Sequence, residues 1–186
     1  MTVVVALGAN LGDRESTLRS AVADVAAIPG VFDVVASRPV ESVAVTTHGL
    51  DDTKPTYLNA VLTLETSREP HDLLDELQRI ENAHGRVREE RWGDRTLDLD
   101  VIAIDDLTLD TDRLTVPHPR AGDRSFVLEP WLEIDRDAHL PGLGPVAVIA
   151  ATLDDAVVIV AGSTPLHLPT PTQPAPTRPA PTPGVS

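Results

Sequence analysis

The chain has 186 residues, 41% of them hydrophobic, with no cysteine and a formal net charge of −14. That length suits one domain with a real core, and the missing thiols exclude a disulfide scaffold and thiolate metal sites while fitting a reducing, cytoplasmic setting. So acidic a protein should not bind nucleic acid through a general basic surface, and the opening "MTVVVALGAN" is too short an apolar run for a signal peptide or a membrane span.

In chain order, Thr2 to Leu7 is β-branched and apolar and reads as a buried strand, broken by "GANLGDRES". Leu18, Ala21, Val22 and Val25 recur at helical spacing, which predicts a helix from Asp13 to Ala27 stopped by "IPG". Val31 to Ala36 reads as a second strand. Ser37 to Thr56 has little periodicity, and its second half reads as a long mobile loop. Tyr57 to Glu65 alternates as a third strand. Pro70 suits the first turn of a helix whose apolar face is Leu73, Leu74, Leu77 and Ile80 and whose end is near His84-Gly85. Gly85 to Asp94 is polar and Arg-rich and reads as mobile. Thr96 to Ile104 is a fourth strand. A hairpin over Leu107 to Val116, a helix over Asp123 to Glu133 and a strand at Val157 to Val160 follow. From Pro165 on, proline and threonine dominate. The expected division is therefore a domain over 1–164 and an extended, disordered tail over 165–186. The order β-α-β-β-α-β is the split-βαβ, ferredoxin-like arrangement, an α+β core of antiparallel sheet and helices with a helix and hairpin added at the C-terminal end. Many functions use that fold, so it settles nothing about activity.

The positive charge is unusual in kind: one lysine, Lys54, stands against fourteen arginines. Arg86, Arg88, Arg91 and Arg95 fall within ten residues. A general bias toward arginine explains the ratio but not the cluster. Guanidinium groups grip phosphate oxygens bidentately, so a positive island on an acidic chain suits a polyanion. Directly downstream comes "TLDLD". In a strand, Leu97, Leu99 and Val101 face the core while Asp98 and Asp100 face the other way, Cα atoms roughly 6.5 Å apart. Three readings compete: a solvated strand face, an acid/base pair with one carboxyl held protonated, and a hard divalent cation such as Mg²⁺. The arginines favour the cation, since Mg²⁺ with Arg is the usual equipment for phosphoryl transfer, and two bridging ions are an option. The familiar glycine-rich phosphate loops are missing, and "GANLGD" reads as a tight strand-to-helix connection.

From Val3 to Ile134 the chain resembles the 6-hydroxymethyl-7,8-dihydropterin pyrophosphokinases of folate biosynthesis. The segments "LGANLGDR", "YLNAVLTLET", "LLDELQRIENAHGRVR", "RWGDRTLDLDVI" and "LTVPHPRAGDRSFVLEP" carry the likeness. The resemblance implies an enzyme that moves the β- and γ-phosphates of ATP together onto the hydroxymethyl group of the pterin, releasing AMP; the expected setting is cytoplasmic and the expected state a monomer. It implies two Mg²⁺ ions on Asp98 and Asp100, with ATP as co-substrate. Arg86 and Arg95 fall where the family has loop arginines that act on the transferring group. Gln78, Glu81, Arg88, Trp92, Arg113, His118 and Arg124 fall at ATP-binding positions. Ser42, Val45, Tyr57, Asn59, Trp92 and Phe126 fall at pterin positions. Other enzymes of folate biosynthesis are the implied protein partners, with no nucleic acid and no membrane.

The residue types suit those roles. A pterin between Phe126 and Trp92 gains stacking energy, and Asn59 offers donor and acceptor to a lactam edge. Read alone, Phe126 would be a core residue, Tyr57 and Asn59 the polar side of a strand, and Glu81 a helix-surface acid. The chain departs from the family at Asp94, usually proline, at "ESVAVTTHG", which lacks a Thr-Pro pair, and in a shorter Arg88–Trp92 segment. A Mg²⁺-dependent nuclease or nucleotidyl transferase needs the same D-x-D. An RNA-binding module of the same fold is opposed by the charge and by the lack of an aromatic-rich strand.

Overall fold

The computed structural model describes residues 1–42, 44–46, 49–51, 56–85, 96–154 and 157–166. The elements in order are β1 (Thr2–Ala9), α1 (Arg14–Ala26), β2 (Val31–Ala36), β3 (Val40–Ser42), β4 (Ala44–Thr46), β5 (Gly49–Asp51), β6 (Tyr57–Thr66), α2 (Pro70–Ala83), β7 (Asp98–Ile104), β8 (Leu109–Asp110), β9 (Thr115–Val116), a 3₁₀ turn (Ala121–Asp123), α3 (Ser125–Ile134), β10 (His139–Leu140), β11 (Gly144–Pro145), α4 (Val146–Ala150) and β12 (Val158–Ile159).

Local chemistry accounts for the main boundaries. Gly12 takes a left-handed φ of 65°, and the Asp13 carboxylate then caps α1 by accepting the Ser16 N–H at 3.1 Å. Proline opens α2, where its missing N–H costs nothing.

The sheet runs β12–β3–β6–β1–β7, with β2 also on β6. β2 and β3 lie end to end along one side of β6: β2 registers with residues from Leu62 to Thr66, β3 with Tyr57 to Asn59. Treating them as one bent strand leaves five strands: the short edge strand β12 and a four-stranded antiparallel core with α1 and α2 as its crossovers. That is the expected split-βαβ core.

Strand alternation divides the apolar residues between two faces. Val3, Val5, Leu7, Leu62, Leu64, Leu99 and Val101 pack beneath Leu18, Val22 and Val25 of α1 and Leu73 and Leu77 of α2. Val4, Val61, Ile102 and Ala103 pack beneath Val127, Leu128 and Trp131 of α3, with Val146 and Ala150 of α4 beside them. The β1–β7 register jumps from Val5↔Val101 to Val4↔Ala103, so Ile102 is a bulge. The bulge keeps Ile102 and Ala103 on the α3 face and returns Ile104 to the other.

Three expectations change. Ser37–Thr56 is not irregular throughout: β3 joins the main sheet, and β4 pairs with β5. Strands of three residues are too short to show a period. The C-terminal part carries more structure than one helix, hairpin and strand, since β10–β11 and α4 also cover the second face. The core also extends past residue 164. Leu166 is 1% exposed within the first cluster, and its N–H donates to the Ser37 carbonyl at 3.0 Å. Composition averaged over a proline-rich stretch hides one buried leucine. Among the described residues, no helix is long and apolar enough to cross a membrane. Leu166→Ala should lower unfolding free energy by about 2–5 kcal/mol in urea titrations; a change under about 0.5 kcal/mol would place Leu166 outside the core.

Candidate functional site

At one end of the α3-side face the apolar cover stops, and polar side chains stand on a low floor. The register sets them in rows. Asn59, Gly8 and Asp98 lie side by side on β6, β1 and β7; Val61, Ala6 and Asp100 form the next row. Two strand spacings separate Asn59 from Asp98, roughly 10 Å. The residues between them are glycine and alanine. A Cβ on Gly8 would come within 3.3 Å of the Asn59 Oδ1, so the bare backbone keeps that side chain and the floor in place. Asn59 is buried, and its Nδ2 donates to the Ser42 Oγ at 2.8 Å. With the amide nitrogen committed to β3, Oδ1 is left beside the Gly8 floor. Tyr57 and Ser42, register partners on β6 and β3, are half-buried at the rim of the same end.

The repulsion expected between Asp98 and Asp100 is met from α3 and the turn before it. Arg124, the residue that precedes α3, places Nη1 3.3 Å from the Asp100 Oδ2 and is itself only 17% exposed. Its guanidinium also lies 5.6 Å from the centre of the Phe126 ring. Phe126 is half-buried and packs against the second core from its margin, combining the core role with a face toward the site.

His118 also approaches the pair, its Nε2 3.9 Å from the Asp100 Oδ2, beyond hydrogen-bond reach. The ring is fixed by its backbone. The His118 N–H donates to the Ile102 carbonyl at 2.8 Å, and Nδ1 accepts the Arg120 N–H at 3.1 Å. With Nδ1 as acceptor, the neutral ring carries its proton on Nε2, toward Asp100. Burial holds the His118 pKa below its ordinary 6.5; Arg124 and Arg120 push the same way, while Asp100 and Asp98 oppose them.

The remaining expectations divide. Glu81 is not a surface acid: it is 1% exposed, and its Oε1 accepts the Leu99 N–H at 2.8 Å. So buried a carboxylate offers no surface to a nucleotide. It ties α2 to the strand between the two aspartates. Gln78, one turn earlier, is half-buried. Arg113 is exposed on the β8–β9 hairpin and pairs with Asp75 of α2. Arg86, Arg88, Trp92 and Arg95 lie outside the described residues, and Val45 is placed only by its backbone register with Leu50 in β4–β5. The structure therefore brings Asp98, Asp100, His118, Arg124 and Phe126 together, and sets Asn59, Ser42 and Tyr57 across the floor from them. Sequence reading missed Gly8 and Ala6 as that floor. Gly8 reads as part of a turn, yet β1 runs on through Ala9. Only the paired registers reveal its role.

Asp98 and Asp100 suit a hard cation in donor type and in sharing a face. Among the described residues, no group of three or more His, Cys, Asp or Glu side chains is placed to hold a metal alone.

The fold and the site define an α+β protein of the split-βαβ class, with an acidic pair and basic groups at the open end of its sheet. Solved structures share that architecture. One described as HPPK-DHPS in complex with substrates superposes with a TM-score of 0.60 at 10% identity, covering 81% of this chain and 43% of that one. Plasmodium falciparum HPPK-DHPS with SDX-DHP superposes at 0.55 and 12% identity, again over 81% of this chain and 43% of that one. This chain spans under half of either, and the likeness is one of fold. The family model for 7,8-dihydro-6-hydroxymethylpterin-pyrophosphokinase (HPPK) matches residues 4–136. The 2-amino-4-hydroxy-6-hydroxymethyldihydropteridine pyrophosphokinase of Haemophilus influenzae is 41% identical over 76% of this chain and 86% of its own. That of Bacillus subtilis is 43% identical over 70% and 75%, and that of Mycobacterium bovis 39% identical over 83% and 85%. The chain belongs to the HPPK family.

Two measurements check the site's physics. Glu81→Ala leaves the buried Leu99 N–H without its acceptor and should cost about 1–3 kcal/mol of stability in urea unfolding. His118 should titrate below 6.5 by NMR of the ring Cε1–H. Its proton binds more readily to the unfolded chain, so its contribution to stability is fully present above pH 6.5. That contribution falls as pH drops below 6.5 and levels off under the folded-state pKa. A titration midpoint above 6.5 would contradict the burial argument.

Proposed function

We propose that this chain transfers the β- and γ-phosphates of ATP, as one pyrophosphoryl group, to the hydroxymethyl oxygen of 6-hydroxymethyl-7,8-dihydropterin. The pterin oxygen bonds to the β-phosphorus, the bond from that phosphorus to the α-phosphate oxygen breaks, the hydroxyl proton is lost, and AMP leaves. The observation that carries this reading is the row Asn59–Gly8–Asp98 in a member of the HPPK family. It sets an amide suited to a lactam edge, a flat floor and a carboxylate pair in line, over a span that fits a bicyclic ring and its hydroxymethyl arm. Phe126 at the margin supplies an aromatic face.

Asp98 and Asp100 are the residues that would hold Mg²⁺, and two ions there would neutralise a triphosphate when bound. Arg124 and His118 keep compensating positive or proton-donating groups beside Asp100 and are available to ATP oxygens. Arg113 offers a further exposed guanidinium. Arg86 and Arg95 are assigned to the transferring group on the resemblance, and Arg88 and Trp92 to ATP and pterin on the same basis. The reaction works by positioning and electrostatics, with no covalent intermediate. ATP and a pterin are soluble, and the absence of cysteine suits the cytoplasm.

Incubation with ATP, MgCl₂ and the dihydropterin should yield AMP and the pterin diphosphate in equal amounts, followed by chromatography. Asp100→Ala should lower kcat at least about 100-fold with a much smaller loss of pterin binding. ADP in place of AMP, or full turnover by the variant, would refute the assignment.

A further inference from the structure

Arg14 breaks a local rule. It is the first residue of α1, where the helix carries its positive end and cations are disfavoured. Asp13 as cap and Glu15 beside it are the residues expected there. The guanidinium finds its partners elsewhere. Nη1 donates to the Thr56 carbonyl at 2.8 Å and to the Thr56 Oγ1 at 2.9 Å, and Nη2 donates to the Glu41 Oε1 at 2.9 Å. The Thr56 hydroxyl donates to the same Glu41 oxygen at 3.4 Å, closing a ring of three groups.

The partners' positions give this ring its meaning. Glu41 immediately precedes Ser42, and Thr56 immediately precedes Tyr57. Ser42 and Tyr57 are register partners, and Ser42 holds the Asn59 amide. A single side chain from α1 therefore ties Glu41 of β3 and Thr56, the residue before β6, to the helix that follows β1. Arg14 and Glu41 are 30% and 39% exposed, so the ion pair adds little to global stability. Its effect is concentrated on the spacing of Ser42, Tyr57 and Asn59.

We infer that Arg14 is a positioning residue for the pterin side of the site, holding the paired strands β3 and β6 to α1 so that Ser42, Tyr57 and Asn59 keep the placement against which the ring is recognised. The inference rests on the pterin reading above. It also explains why arginine stands there: the planar fork meets a carboxylate and a carbonyl at once, which a lysine ammonium on a flexible stem does not.

The test compares wild type, Arg14→Gln, Arg14→Lys and Glu41→Gln by steady-state kinetics, thermal melting and amide hydrogen exchange. Arg14→Gln should raise the KM for the dihydropterin about tenfold, with kcat and the KM for ATP within about twofold of wild type. Arg14→Lys and Glu41→Gln should fall between, since each keeps part of the ring. Exchange at Ser42 and Tyr57 should quicken in Arg14→Gln, with little change in α2. Unchanged pterin KM with only a lower melting temperature would overturn the inference, as would equal rises in both KM values. If wild type makes no pterin diphosphate, the functional reading fails by itself. The exchange measurement then decides the clamp, and unaltered exchange at Ser42 and Tyr57 sinks it.

Discussion

Two carboxylates two residues apart on one strand face repel each other, and the rest of the molecule is arranged around keeping them there. Three features make the arrangement tolerable. β7 enters the sheet with its apolar side committed to the α1–α2 core, so the aspartates cannot turn inward. The buried Glu81 carboxylate accepts the N–H of the residue between them and holds that strand end to α2. Arg124 and His118 are brought to Asp100 by the segment leading into α3. Remove the Arg124 charge and the pair is destabilised; remove the strand alternation and it is no longer a pair.

The C-terminal addition to the split-βαβ core thereby has two roles. Val127, Leu128 and Trp131 close most of the second sheet face. The residues just before them, from His118 to Phe126, reach past that cover to its open end. A bare ferredoxin-like sheet would leave the whole face to solvent. Here the cover stops at the two rows where side chains shrink to Gly8 and Ala6, so that end of the face has a floor, an acidic end and an amide end.

Much of this is visible in a single sequence because it depends on short-range pattern. The alternation of Leu97 to Val101 places Asp98 and Asp100 on one side of a strand without knowledge of any neighbour, and β7 bears that out. The helical periods of α1 and α2 are as plain, since each buries a stripe against a single sheet face. The pattern loses its grip where elements are short or where one residue answers to distant partners. β3, β4 and β5 have three residues each and show no period. Leu166 is buried by its bond to Ser37, far away in sequence, inside a stretch whose composition says tail.

Residue types and spacing alone determined the strand-helix order of the split-βαβ core, the shared face of the acidic pair and, through the long run of matching segments, the family. Only the tertiary structure decided which residues meet. It made Gly8 a floor instead of a turn, Glu81 an internal acceptor instead of a surface acid, and Arg14 a clamp between two strand ends. The physical reason is the same in each case: a side chain's partner across a sheet or from a helix is set by register and packing between segments tens of residues apart, and no local period encodes that register.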